Sequence, residues 1–128
     1  MSTAYYAVFH TVCENCADCL IGGTGAARSR RAWSQAYRSV EHNYVKKQCR
    51  NTETMSRFPE DIQDFARVFV ELMSKRHAAD YDPSAVFTKA DAVNVIAQAE
   101  EAVKKFKRAP IADRRAFAAW TTMKVRPY

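Results

Sequence analysis

Two side chains four residues apart, Arg38 and His42, carry the chemistry most directly readable in this sequence. An imidazole titrates near neutral pH and can take or give a proton. A guanidinium clamps phosphate oxygens bidentately and stabilises charge that develops on them in a transition state. At i and i+4 on a helix the two would share a face, about 6 Å apart. Such a pair is a sufficient minimum for cleaving RNA through its own 2′-hydroxyl, without a metal. Glu41 stands between them and offers Arg38 an ordinary ion pair instead.

The thiols form a visible pattern, Cys13-x-x-Cys16-x-x-Cys19, with Cys49 apart. A ferredoxin-type run continues with a fourth cysteine three residues on, followed by proline. Here Gly23 holds that place and no proline follows. Each helical residue turns the chain by about 100°, so three cysteines on one straight helix cannot converge on an ion. They are expected to be small buried hydrophobes, with no metal and no cofactor. Gly22-Gly23-Thr24-Gly25 lacks the Gly-Lys-Ser/Thr ending of a phosphate-binding loop and reads as a helix stop.

His10 is expected to be a satisfied core or interface residue, and Arg76 to tie down the turn after it through Asp80 or Asp82. Basic residues gather at Arg28, Arg30 and Arg31, at Lys46, Lys47 and Arg50, and at Lys104, Lys105, Lys107 and Arg108. The first two groups flank the Arg38–His42 face and could follow a phosphate backbone.

The elements that must hold these groups are helices. Residues 3–20 repeat Tyr5, Phe9, Val12, Cys16 and Cys19 at spacings of four and three, and Tyr6, Val8, Cys13 and Leu20 widen the stripe, so this helix should be central. A second helix is predicted over about 30–50, from Trp33, Tyr37, Val40 and Tyr44, with Arg38, His42, Val45 and Cys49 as a parallel stripe. Residues 51–57 are polar and read as loop. Pro59 opens a third helix with Glu60 and Asp61 favourable at its start. Its apolar face is Ile62, Phe65, Phe69, Leu72 and Met73, with Lys75, Arg76 and His77 in its last turn and a turn at 80–83. Thr88 and Asp91 suggest a cap for a fourth helix, to about 106, with Ala92, Ile96, Ala99, Val103 and Phe106 inward. A short fifth follows over about 112–123, carrying Phe117 and Trp120.

Composition agrees with this reading. The chain has 128 residues, 48% of them hydrophobic and 12% aromatic, which excludes a disordered chain. Three glycines and four prolines are too few for a turn-dense all-β fold. One all-α domain over 1–128 is expected, an up-down bundle of four main helices and a short C-terminal one. The net charge of +6 leans toward anionic partners, nucleic acid first. No apolar run reaches the ~18 residues of a spanning helix, so no membrane partner is expected. The N-terminus lacks a basic region, and Glu14 and Asp18 interrupt its apolar stretch. It is therefore not expected to be an export signal, and the thiols should be reduced in the cytoplasm.

Ser2-Thr3-Ala4-Tyr5-Tyr6-Ala7-Val8-Phe9-His10 resembles the S-x-A-Y-Y-A-x-F-H signature of bacterial and archaeal HEPN-domain proteins. Arg76-His77-Ala78-Ala79-Asp80-Tyr81 resembles their second signature, R-x-x-A-D-Y, and Trp33…Ala36-Tyr37-Arg38…His42 is similar to one subgroup between the two. The resemblance implies a HEPN-like helical bundle, a homodimer, and in active members a metal-independent RNA endonuclease of toxin–antitoxin or anti-phage systems. It implies Arg38 and His42 as the catalytic pair, although three residues separate them here where the family motif has four to six. It implies Tyr44, two residues after the histidine, as the place where a nucleotidyltransferase antitoxin would act. Lys46, Lys47 and Arg76 join Tyr44 as binding candidates. Other members are non-catalytic modules that bind RNA, nucleotide or a partner protein. Members usually carry a helix before the first signature, which begins here at residue 2; a missing neighbour for the first helix would favour dimerisation.

Overall fold

The computed structural model describes residues 2–25 and 27–127. Among them lie seven helices and no strand: α1 (Ser2–Ile21), α2 (Arg30–Arg38), α3 (His42–Cys49), α4 (Thr52–Met55), α5 (Glu60–Tyr81), α6 (Lys89–Arg108) and α7 (Ile111–Thr122). The all-helical class is as expected, but the count is not. The expected second helix is two helices, α2 and α3, and the expected loop at 51–57 contains the short α4.

The break between α2 and α3 has a local and a tertiary cause. The Ser39 hydroxyl donates to the Ala36 carbonyl at 2.7 Å, a side-chain bond that competes with the helix ladder. Val40 is buried at 8% exposure, and Glu41 is extended as it starts α3. The two pieces also pack on different surfaces: α2 lies on α1, while α3 lies on α5 and α7. No straight helix serves both.

Elsewhere local chemistry sets the boundaries. Gly22 follows α1 with φ 128°, a conformation costly for any residue with a Cβ. The Thr88 side chain accepts from the Asp91 backbone, and the Asp91 carboxylate accepts from the Thr88 backbone, a closed capping box at the start of α6. α5 runs on to Tyr81, into the turn expected at 80–83, so Lys75, Arg76 and His77 lie before its last turn rather than in it.

The core is one cluster centred on α1, which touches α2, α5, α6 and α7. Tyr5, Phe65, Phe69, Phe106 and Phe117 are fully buried. Phe65 and Phe106 meet with centroids 4.6 Å apart, and Phe117 closes edge-on against Phe106 at 5.4 Å. Each such ring removes enough apolar surface from water to contribute roughly 1.5–3 kcal/mol. Polar bonds fix the ends of the cluster. Gln48 Nε2 donates to the Trp120 carbonyl at 2.9 Å and Trp120 Nε1 donates back to the Gln48 carbonyl at 3.1 Å, joining α3 to α7. Some stripe positions differ from expectation. Tyr6 and Leu20 are exposed, and α6 turns Val95 and Ala102 inward while Ile96 reaches solvent.

Candidate functional site

His42 is the first residue of α3, and its imidazole is half-buried against α1. The ring stacks on Phe9, centroids 3.8 Å and planes 12° apart. Nδ1 is hydrogen-bonded to the Tyr5 hydroxyl. Among the described residues Nε2 has no hydrogen-bond partner, and it is not sealed from solvent. The ring is thus fixed by one face and one nitrogen, leaving the other nitrogen open.

Arg76 approaches from α5. Its Nη2 donates to the Tyr6 hydroxyl at 3.1 Å, and the guanidinium carbon lies 5.1 Å from the Tyr5 ring centroid and 4.9 Å from that of Tyr6. Its Nε is 3.7 Å from the Asp80 carboxylate, too far for a hydrogen bond, and is buried without a partner among the described residues. Arg76 thus makes a loose ion pair with Asp80 along its own helix instead of tying down a turn, and its hydrogen bond goes to a tyrosine of α1.

The electrostatics follow from this packing. Burial, and then the neighbouring Arg76 charge, hold the His42 pKa below the ordinary 6.5. The α3 N-terminus adds positive potential in the same sense. Burial raises the Tyr5 phenol above its usual value, against the pull of Arg76. The site at neutral pH is therefore a neutral imidazole, a protonated phenol and a guanidinium.

The other sequence candidates fall elsewhere. Arg38 ends α2 and is exposed, beside Arg31, Ser34, Gln35 and Ser39 along a surface groove. It does not share a helix face with His42, because the chain breaks between them. Glu41 pairs with Lys124 at 3.1 Å and not with Arg38. The half-buried Tyr44 donates to the Met123 carbonyl at 3.3 Å beneath Lys124, whose Nζ is 5.3 Å from its ring. Lys46, Lys47 and Arg50 line a separate groove with Asn43, Gln48 and Asn51. Arg28 is committed to Asp18 at 3.1 Å and to the Gly22 carbonyl at 2.9 Å. His10 is exposed rather than in the core, bonded through Nδ1 to the Tyr37 hydroxyl at 2.6 Å and facing Glu14 at 3.4 Å.

Among the described residues the cysteines form no group that could hold a metal ion. Cys13, Cys16 and Cys49 are buried and Cys19 is half-buried. The Cys16 thiol donates toward Thr122 at 3.7 Å and that of Cys19 toward Asn15 at 3.5 Å. Burial pushes Cys13 and Cys49 up to about 12.

Tyr5, Tyr6 and Phe9 are the site residues that spacing alone missed. Their signal was their presence in the tyrosine-rich first signature, where they read as core stripe. Comparison with protein-family models, with curated proteins and with solved structures finds no match to this chain.

Proposed function

We propose that the chain is a HEPN-like, metal-independent RNA endonuclease of toxin–antitoxin or defence type, acting as a homodimer, with His42 as its proton-transfer group. The observation that supports this most is the immobilised, neutral imidazole with its outer nitrogen open. A general base must be unprotonated at working pH and must reach substrate. Burial and Arg76 meet the first condition, and the open Nε2 meets the second.

In this reading Nε2 takes the 2′-hydroxyl proton of RNA. The 2′-oxygen bonds to phosphorus as the bond from phosphorus to the 5′-oxygen breaks. The products are a 2′,3′-cyclic phosphate and a 5′-hydroxyl whose proton returns from the imidazolium or water. Arg38, outside this junction in its own groove on α2, is the guanidinium that the resemblance implies for the phosphate oxygens, and Arg76 holds the imidazole in its neutral form by opposing its protonation. Lys46 and Lys47 hold the flanking backbone. Tyr44 is the contact for an antitoxin.

The test is wild-type protein with unstructured RNA in EDTA. Cleavage leaving cyclic-phosphate ends is expected. A second reading, a non-catalytic dimeric RNA-binding module, is favoured by the Lys46–Lys47–Arg50 groove. It gives no cleavage and an RNA affinity that falls steeply with salt.

A further inference from the structure

We propose that Tyr5 is a positioning residue for His42: its hydroxyl fixes the plane of the imidazole so that Nε2 is the nitrogen presented to substrate. The role rests on the nuclease reading for its purpose, but its geometry and its test do not. Tyr5 is completely buried in the core cluster, so its ring cannot drift. Its hydroxyl meets Nδ1, and Phe9 covers one face of the imidazole, which together leave little rotation about either side-chain torsion. A phenol that stays protonated can donate to Nδ1 of one neutral tautomer and accept from Nδ1–H of the other and of the imidazolium. It therefore stays bonded while Nε2 gains and loses a proton.

The bond has a predictable electrostatic sign. A hydrogen bond from a charged donor is stronger than one between neutral groups. Tyr5 accordingly stabilises the imidazolium more than the neutral ring, and opposes the depression caused by burial and Arg76. The groups facing His42 are Tyr5 and Phe9 from α1 and Arg76 from α5, with Tyr6 and Asp80 acting on it through Arg76. The adjacent Glu41 carboxylate is engaged by Lys124. Removing only the Tyr5 oxygen should lower the His42 pKa further.

The experiment is a long-range proton–nitrogen NMR titration of the full chain and of Tyr5→Phe. His42 is assigned by the signals that persist in His10→Gln and His77→Gln. The expected result in wild type is a hydrogen-bonded proton at Nδ1 or on the Tyr5 hydroxyl that is protected from exchange. In Tyr5→Phe that proton disappears and the His42 titration moves to lower pH with helix content unchanged. Should Tyr5→Phe fail to fold, the wild-type spectrum decides, and absence of any protected proton overturns the proposal. An unchanged titration in folded Tyr5→Phe overturns it as well. In cleavage assays, Tyr5→Phe should lower kcat, leave KM unchanged and shift the acid limb of the pH profile downward. A wild type that cleaves no RNA but gives the NMR shift ends the nuclease reading and supports the role of Tyr5. A cleaving wild type whose Tyr5→Phe variant keeps both kcat and titration does the reverse.

Discussion

The imidazole of His42 lies flat on the ring of Phe9, with centroids 3.8 Å and planes 12° apart. That contact joins the first residue of α3 to the middle of α1. It turns a histidine that sequence spacing groups with Arg38 on one helix face into one clamped inside a junction of α1, α3 and α5. The clamp also removes water from one side of the ring, which disfavours the charged form.

If His42 and Arg38 act in one step, their substitutions will not add. His42→Ala and Arg38→Ala should each cost about 10²–10⁴-fold in RNA cleavage. The double variant should be little worse than either single one, since residues acting as a unit are strongly non-additive. Single-turnover cleavage with matched circular dichroism spectra checks this. Activity that persists in His42→Ala would remove His42 from the chemistry.

The depressed pKa of His42 makes stability depend on pH in a defined window. The unfolded side chain titrates at the ordinary 6.5, and the folded one lower. Between those values the unfolded chain binds a proton that the native chain does not, so acid favours unfolding. The contribution is whole above the ordinary value and is lost as pH falls to the folded one. Thermal melts should show a smaller loss of Tm on acidification in His42→Gln than in wild type. Arg76→Gln should raise the His42 pKa, because a repelling charge is gone; equal acid sensitivity in wild type and His42→Gln would contradict the assignment.

Thiol reactivity should report the core. Cys13 and Cys49 have pKa values pushed up to about 12 by burial, so almost no thiolate exists at neutral pH. In the native protein iodoacetamide should leave both unmodified, and in guanidinium all four cysteines should react. Peptide mass spectrometry reads the difference. Rapid native labelling of Cys13 would mean that α1 is not packed as described.

The homodimer is testable by mass. Tyr6 and Leu20 remain 48% and 57% exposed on α1. Fourteen residues are about four helical turns, so the two share a face. An isologous interface there would cover both. Light scattering should give twice the 14.6 kDa chain mass, and Leu20→Glu should shift it toward the monomer. A wild-type monomer at micromolar concentration would remove the dimer from the proposal.

The helices were legible in the sequence because their causes are local. Apolar side chains three and four apart define α1 and α5, Thr88 and Asp91 close a cap, and Gly22 takes a backbone conformation that other residues resist. The break at Ser39–Glu41 was not legible, because Tyr37, Val40 and Tyr44 keep a helical rhythm straight through it. What bends the chain is that α2 has its partner in α1, whereas α3 has its partners in α5 and α7.

The site shows the same division. The sequence by itself supplies a histidine, several arginines and a tyrosine-rich first helix. Which arginine stands by the histidine, and which tyrosine holds it, is decided by contacts between residues far apart in the chain: Tyr5 meets His42 across 37 positions, and Arg76 meets Tyr6 across 70. Periodicity carries information over one or two turns of helix, and these pairings arise only when the faces of α1, α3 and α5 are buried together. The same burial sets the charge state of His42, since solvation is a property of the packed molecule and not of the residue.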